Sequence, residues 1–399
     1  MAASAQVQPK KAVLIIVDGI PEEMVLSTPT LNLDRITAQG HYLPSYVGGE
    51  RGGASETPTI SSNGYAATVT GTWGNKNNVY DNSLKAVNYN YPSIFRLYQD
   101  AYPEGKTAIF STWLDNRTKL LGAGLEATNR LRFDYHFDGL EHDTVQYPHD
   151  KVSNYIKRID THVALEAAKC IAKEAPDLTW VYLQYTDDVS HMHGKSEPFR
   201  NGIVFTDALV GLIYDAVRQR EEAYQEDWLV LVVTDHGRTP FVYTHHGGQS
   251  EAERNTWVVI NKEVNNYARN FRVANTDVTP TIAEHMGVSI PDEVAREIDG
   301  VSLLSEVDAV NLTCRLIDDR HLFLSWDAVD LNTDATARVS VAFTDRYNTG
   351  GRDSYQEVGT VRLKEQSAVV TLPQSASGMV KVLLQTPNHY LNNRVKVMP

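Results

Sequence analysis

The stretch Lys11-Ala-Val-Leu-Ile-Ile-Val17, followed at once by Asp18-Gly19, decides the fold. After its first residue it is apolar without alternation. A strand with one face in water would alternate, so this one reads as buried on both faces, as in a parallel sheet covered by helices. Similar runs recur at 107–110, 178–184 and 228–233, the last ending in Thr234-Asp235-His236-Gly237. Between them lie helical patterns: 161–175, stopping before Pro176, and a stripe of Phe205, Leu209, Leu212 and Ile213 on a second helix. Strands alternating with helices predict an α/β fold, a mainly parallel sheet sandwiched by helices.

From about residue 309 the pattern changes to short alternating strands at 321–326, 338–343, 355–363, 368–372 and 380–385, with Trp326 suited to filling a two-sheet core. The organisation expected is a tail at 1–10, an α/β catalytic domain at 11–307 and an all-β sandwich of immunoglobulin or fibronectin III type at 308–399. A chain of 399 residues exceeds what one core usually supports, in keeping with that division.

Composition narrows the function classes. Apolar residues make up 42% and charged residues 22%, with no run long enough to span a bilayer. A net charge of −13 opposes binding to polymeric nucleic acid, whose affinity for proteins comes from Lys and Arg. Cys170 and Cys314 form no metal or disulfide motif and read as packing residues. Ala3-Ser-Ala-Gln6 fits either the stub of a cleaved export signal or a short unstructured tail, and the first reading places the protein in the periplasm or outside the cell.

In open α/β sheets ligands collect outside the carboxyl ends of the strands, and Asp18, Asp187 and Asp235 all stand at such ends. His191 follows Asp187 by four residues, in an expected loop, and His236 is next to Asp235. Singly, an Asp-His after a strand is a turn or a cap more often than a ligand. Three acidic strand ends in one crevice would crowd buried charge unless a cation neutralised it, and carboxylate with imidazole is the donor set of zinc. Ser61 stands where turn residues give way to a helical pattern, a position fit for a nucleophile beside an anion-binding helix start, or for ordinary N-capping by Ser61 or Ser62.

These pieces, taken with Thr28-Pro-Thr-Leu-Asn-Leu-Asp-Arg-Ile36, Pro58-Thr-Ile-Ser61, Thr70-Gly71, His246-Gly-Gly248 and Asp299-Gly-Val-Ser-Leu303, resemble the alkaline phosphatase superfamily, and most closely its nucleotide pyrophosphatase/phosphodiesterase branch, over about residues 10–305. The resemblance implies two zinc ions, one held by Asp187, His191 and His246 and the other by Asp18, Asp235 and His236, with Ser61 as nucleophile touching the second. It implies that Asn82 donates to a phosphate oxygen. His193 and His245 compete with their neighbours as ligands and fall to the rim, while Arg238 and Lys76 either meet substrate charge or, the better reading, are solvated surface residues.

The function expected is hydrolysis of small phosphate esters, diesters first, through a phosphoseryl intermediate. Ser62 stands where the nucleotide-cleaving relatives resemble one another in carrying an aromatic residue, and a serine nucleophile is the phosphomonoesterase choice, so a monoesterase is the alternative. A different class of reading makes the protein a carbohydrate- or surface-binding module acting through its sandwich. The Cys-x-Pro-x-Arg signature of sulfatases is missing.

Overall fold

The computed structural model describes residues 8–396. The tail expected at 1–10, with its export motif, lies almost wholly outside them. Eight strands form the large sheet: β1 (Lys10–Val17), β2 (His41–Tyr46), β3 (Thr107–Ser111), β4 (Tyr135–Phe137), β5 (Leu178–Leu183), β6 (Asp227–Val233), β7 (Asn255–Ile260) and β8 (Val273–Ala274). Their order is β4-β3-β5-β1-β6-β7-β2-β8, and β7 alone runs against the others. The unbroken apolar run explains the centre: from Ala12 to Val17, β1 is at most 1% exposed, and it pairs with β5 on one side and β6 on the other.

Odd and even positions of β1 feed different cores, as the two-residue period of a strand requires. Val13, Ile15 and Val17 pack beneath two long helices, α3 (Asn154–Glu174) and α5 (Glu197–Tyr224); Leu14 and Ile16 share the other core with the buried helix α1 (Ser61–Thr70) and with α2 (Ile94–Ala101). The expected helix at 161–175 starts seven residues earlier. Within the stripe of α5, Leu209 and Ile213 are buried while Leu212 is 40% exposed, because the buried face runs through Val210 and Tyr214 instead.

Seven further strands build a C-terminal β domain in two antiparallel sheets. One is β9 (Ala309–Leu316), β10 (His321–Ala328) and β13 (Ser367–Thr371); the other is β11 (Thr336–Ala342), β12 (Gln356–Arg362), β14 (Met379–Gln385) and β15 (Tyr390–Lys396). Trp326 is buried between them and donates its indole N–H to Leu363 O at 2.7 Å. Among the described residues, no helix is long and apolar enough to cross a membrane.

Candidate two-metal centre

Asp18 follows β1 and Asp235-His236 follow β6, and the neighbouring strand β5 leads into α4 (Tyr185–His193). Because β5, β1 and β6 are adjacent and in register, these three ends meet at one level. Asp187 and His191 stand on α4 rather than in a loop. Their spacing of four then places both side chains on one helical face. The helix start is fixed by buried Asp160, which accepts from Gln184 N at 3.1 Å, Tyr185 N at 2.8 Å and Thr112 Oγ1 at 2.6 Å.

Three imidazoles face three carboxylates. His236 Nε2 lies 3.4 Å from Asp18 Oδ1, 3.3 Å from Asp235 Oδ2 and 3.9 Å from Asp187 Oδ1. His246 Nε2 lies 3.8 Å from Asp187 Oδ1 and 3.2 Å from His191 Nε2, which is itself 3.5 Å from Asp187 Oδ2. The His236 and His246 rings stack with centroids 3.7 Å apart. The other nitrogen of each ring is spoken for: Nδ1 of His236 meets Gly237 O at 2.9 Å, that of His246 meets Thr59 O at 3.0 Å and that of His191 meets Thr244 O at 2.7 Å. A carbonyl only accepts, so each Nδ1 carries the proton and each Nε2 lone pair is turned toward the carboxylates, the orientation metal-binding histidines take.

The electrostatics of the cluster call for positive charge. Burial, and then the charge of Asp187, pushes Asp18 up to about 6 against hydrogen bonds from Tyr182 and Tyr65. Burial and Asp18 raise Asp235 well above the carboxylate range. Burial holds His236 and His246 near 3, so neither supplies the missing charge. Asp187 goes the other way: burial would raise it, but Arg238, His191 and His236 hold it well below the usual range. Asp18 Oδ1 and Asp235 Oδ2 are buried without a hydrogen-bond partner, a costly state for a carboxylate oxygen unless a cation meets it. Two groups, Asp18–Asp235–His236 and Asp187–His236–His246, hold their donor atoms within 4.8 Å of one another, and the donor set fits divalent metal ions.

Ser61 is the first residue of α1 and only 7% exposed. The capping position belongs to Ile60 and no side chain caps the helix, so Ser61 and Ser62 are not ordinary caps. Ser61 Oγ stands 3.1 Å from His236 Nε2, inside the donor set. Asn82 comes to the same helix start, its Oδ1 accepting from Ser62 N at 3.1 Å, which leaves its NH2 group free to donate. His191, His193 and His245 are all exposed and stay outside both metal groups; His191 still reaches them, with Nε2 3.2 Å from His246 Nε2 and 3.5 Å from Asp187 Oδ2, whereas the His245 ring is 6.3 Å from that of His191.

Two expectations fail here. Arg238 and Lys76 are buried, at 0% and 1% exposure, instead of solvated. Arg238 pairs with Asp187 and donates to Gly19 O at 3.2 Å; Lys76 pairs with Asp299 and donates to Glu297 O at 2.7 Å. Gly19 is required beside that guanidinium, since its φ is +63° and an added Cβ would collide with Arg238. Sequence reading also missed Tyr65 and Tyr182, whose hydroxyls both donate to Asp18 Oδ2. Tyr65 was within reach of it, one helical turn after Ser61 on the same face.

Comparison with known proteins gives a family and a fold. The model of the family "Type I phosphodiesterase / nucleotide pyrophosphatase" matches residues 12–278. GPI ethanolamine phosphate transferase 2 of Schizosaccharomyces pombe is 26% identical over 121 residues, 26% of this chain. The match spans only 16% of that curated relative's length. Among solved structures, a 2-O GAG sulfatase superposes with a TM-score of 0.51 at 12% identity, covering 90% of this chain and 86% of its own. Ps i-CgsB in complex with k-i-k-neocarrahexaose gives 0.52 at 13%, covering 82% and 85%. At such identities these two share a fold with the chain.

Proposed function

This chain belongs to the type I phosphodiesterase/nucleotide pyrophosphatase family, within the alkaline phosphatase superfamily, and from that premise we propose that it is a two-zinc hydrolase of phosphodiesters with Ser61 as nucleophile. The observation that carries the proposal is Ser61 Oγ, 3.1 Å from His236 Nε2 and set at a helix start beside the Asp18–Asp235–His236 and Asp187–His236–His246 clusters. Asp187, His191 and His246 would hold one ion and Asp18, Asp235 and His236 the other, and when bound the pair supplies Lewis-acid charge that eases loss of the serine proton and offsets charge on the phosphoryl oxygens.

The rest is the work of the chain. Ser61 Oγ, its proton passed to solvent, forms a bond to phosphorus as the bond to the departing alkoxide breaks; the alkoxide takes a proton from water and leaves as the alcohol, and the phosphoserine keeps the second ester group. A water then attacks phosphorus from the vacated side, releasing Ser61 and the phosphomonoester. The NH2 of Asn82 and the N-terminal dipole of α1 are placed to hold the non-bridging oxygens.

We further assign 11–307 to the catalytic part and 308–399 to a β-sandwich of immunoglobulin or fibronectin III type, and place the protein in the periplasm or outside the cell. The test is metal analysis joined to hydrolysis of bis-p-nitrophenyl phosphate, p-nitrophenyl phosphate and p-nitrophenyl sulfate before and after chelation. The expected result is two zinc ions per chain and a diester preference lost on chelation. Ser61→Ala should lower kcat by at least ~10³-fold while keeping most of the metal. A monoester preference would move the protein to the phosphatase alternative; turnover unchanged in Ser61→Ala would remove the serine.

A further inference from the structure

The segment joining Asp235-His236 to His246 carries two unusual residues. Phe241 and Tyr243 have φ of 72° and 61°, the only aromatic residues in left-handed backbone among those described. Bulky side chains crowd their own carbonyl there and persist only where the surroundings over-determine them. What over-determines them is visible. Tyr243 is buried, its hydroxyl donates to Glu23, and the Lys195 ammonium lies 5.2 Å from its ring. Thr239 N donates to His245 O at 2.8 Å and Tyr243 N to Thr239 O at 3.2 Å, closing the loop on itself.

The loop is tied to the end of α4, the helix that carries His191. Thr244 O receives His191 Nδ1, and Val242 O receives Lys195 N at 3.3 Å, just past the end of α4. Yet the side chain at the loop's tip is not used for packing. Phe241 is 91% exposed, with Val242 at 57% beside it and Met192, next to His191, at 36%. A large apolar residue held on a strained, anchored backbone and turned into water gives up both burial and conformational ease, a combination that points to a ligand.

We propose that Phe241, with Val242 and Met192, forms an apolar lip to the metal centre, and that the substrates are soluble phosphate esters bearing an aryl or apolar alkyl group that packs on Phe241. The inference rests on the phosphate-ester reading above and names its substrate class.

The two can be separated by calorimetric titration of the zinc-loaded protein with phenylphosphonate and methylphosphonate, which need no turnover. The native chain should bind phenylphosphonate about tenfold more tightly, the discrimination an apolar contact of this size supplies. Phe241→Ser should reduce that preference below about threefold. Phe241→Gly should do the same with a Tm no lower than that of the native chain, because glycine accepts this φ without strain. Equal binding of the two phosphonates, or a preference that survives in both variants, overturns the lip while leaving the phosphate-ester reading standing. If neither phosphonate binds, that reading falls and the lip with it. Binding to phosphatidylcholine vesicles that needs Phe241, without a phenyl preference, would assign the patch to a membrane surface and overturn the proposal.

Discussion

The side chains at the centre were legible only together: singly each Asp or Asp-His reads as a turn or a cap, and what drew Asp18, Asp187 and Asp235 to one place was that each follows the end of an apolar run. Arg238 was not legible, since nothing local distinguishes a buried arginine from a solvated one; its burial depends on Asp187, fifty-one residues away, and on the carbonyl of Gly19. Its buried guanidinium pairs with Asp187 and is foremost among the charges that hold that carboxylate down, so removing it leaves Asp187 without its main counter-charge. Arg238→Met should therefore destabilise the zinc-free protein by about 3 kcal/mol, the cost of breaking a buried pair from one side. Urea unfolding in the presence of a chelator measures this, and a loss below about 0.5 kcal/mol would mean that Asp187 finds its compensation elsewhere.

At the scale of elements, the buried strands were plain and α4 was not. Its sequence, Tyr185-Thr-Asp-Asp-Val-Ser-His-Met-His193, offers only Thr186, Val189 and Ser190 to the interior, too short a stripe to read as a helix. The element is specified instead by Asp160 on α3, whose carboxylate meets the helix's first two amides. Strands β9 and β15 were missed for a related reason: β15 reads Tyr-Leu-Asn-Asn-Arg-Val-Lys, and among its inward residues is Arg394, whose partners lie elsewhere in the chain. Burial pushes Asp160 up to about 7, so the fold binds its proton more tightly than the unfolded chain does. That contribution is complete below the unfolded value of about 4 and is lost as pH rises through 7. Asp160→Asn cannot titrate and sets an NH2 group against backbone donors. It should be less stable than the native protein at pH 5 by a few kcal/mol, with the gap narrowing by about 2 kcal/mol at pH 8 in zinc-free protein. A gap that stays constant between those pH values would show that Asp160 is ionised throughout.

For the whole molecule, the change of pattern near residue 309 was visible, whereas the way the β domain is joined was not. One apolar core continues from Leu14 and Leu231 of the large sheet through Val301, Leu303 and Val307 to Leu324, Trp326 and Val382. Beside it runs a buried ionic seam: Glu297 meets Lys381 and Arg394 from β14 and β15, Lys381 also meets Asp353, and Lys76 reaches Asn392 as well as Asp299. A carbohydrate-binding module tethered for reach would have no use for such a seam, since interfaces between mobile domains are small and hydrated. Charges this deep hold two bodies in one arrangement, and breaking them from one side costs more than their formation contributes. The chain should therefore unfold in a single transition. Trp326 is the only tryptophan of the β domain and the other five belong to the α/β part, so fluorescence of the native chain and of Trp326→Phe reports the two parts separately. The two curves should coincide in midpoint apart from the packing cost of the substitution. Glu297→Ala, which removes one of the two carboxylates that Lys381 and Arg394 share and leaves them Asp345, should lower stability by about 3 kcal/mol and draw the β-domain signal ahead of the rest. Two separated transitions in the native chain, with Glu297→Ala changing only the earlier one, would instead make the β domain an independent unit whose seam merely fills space.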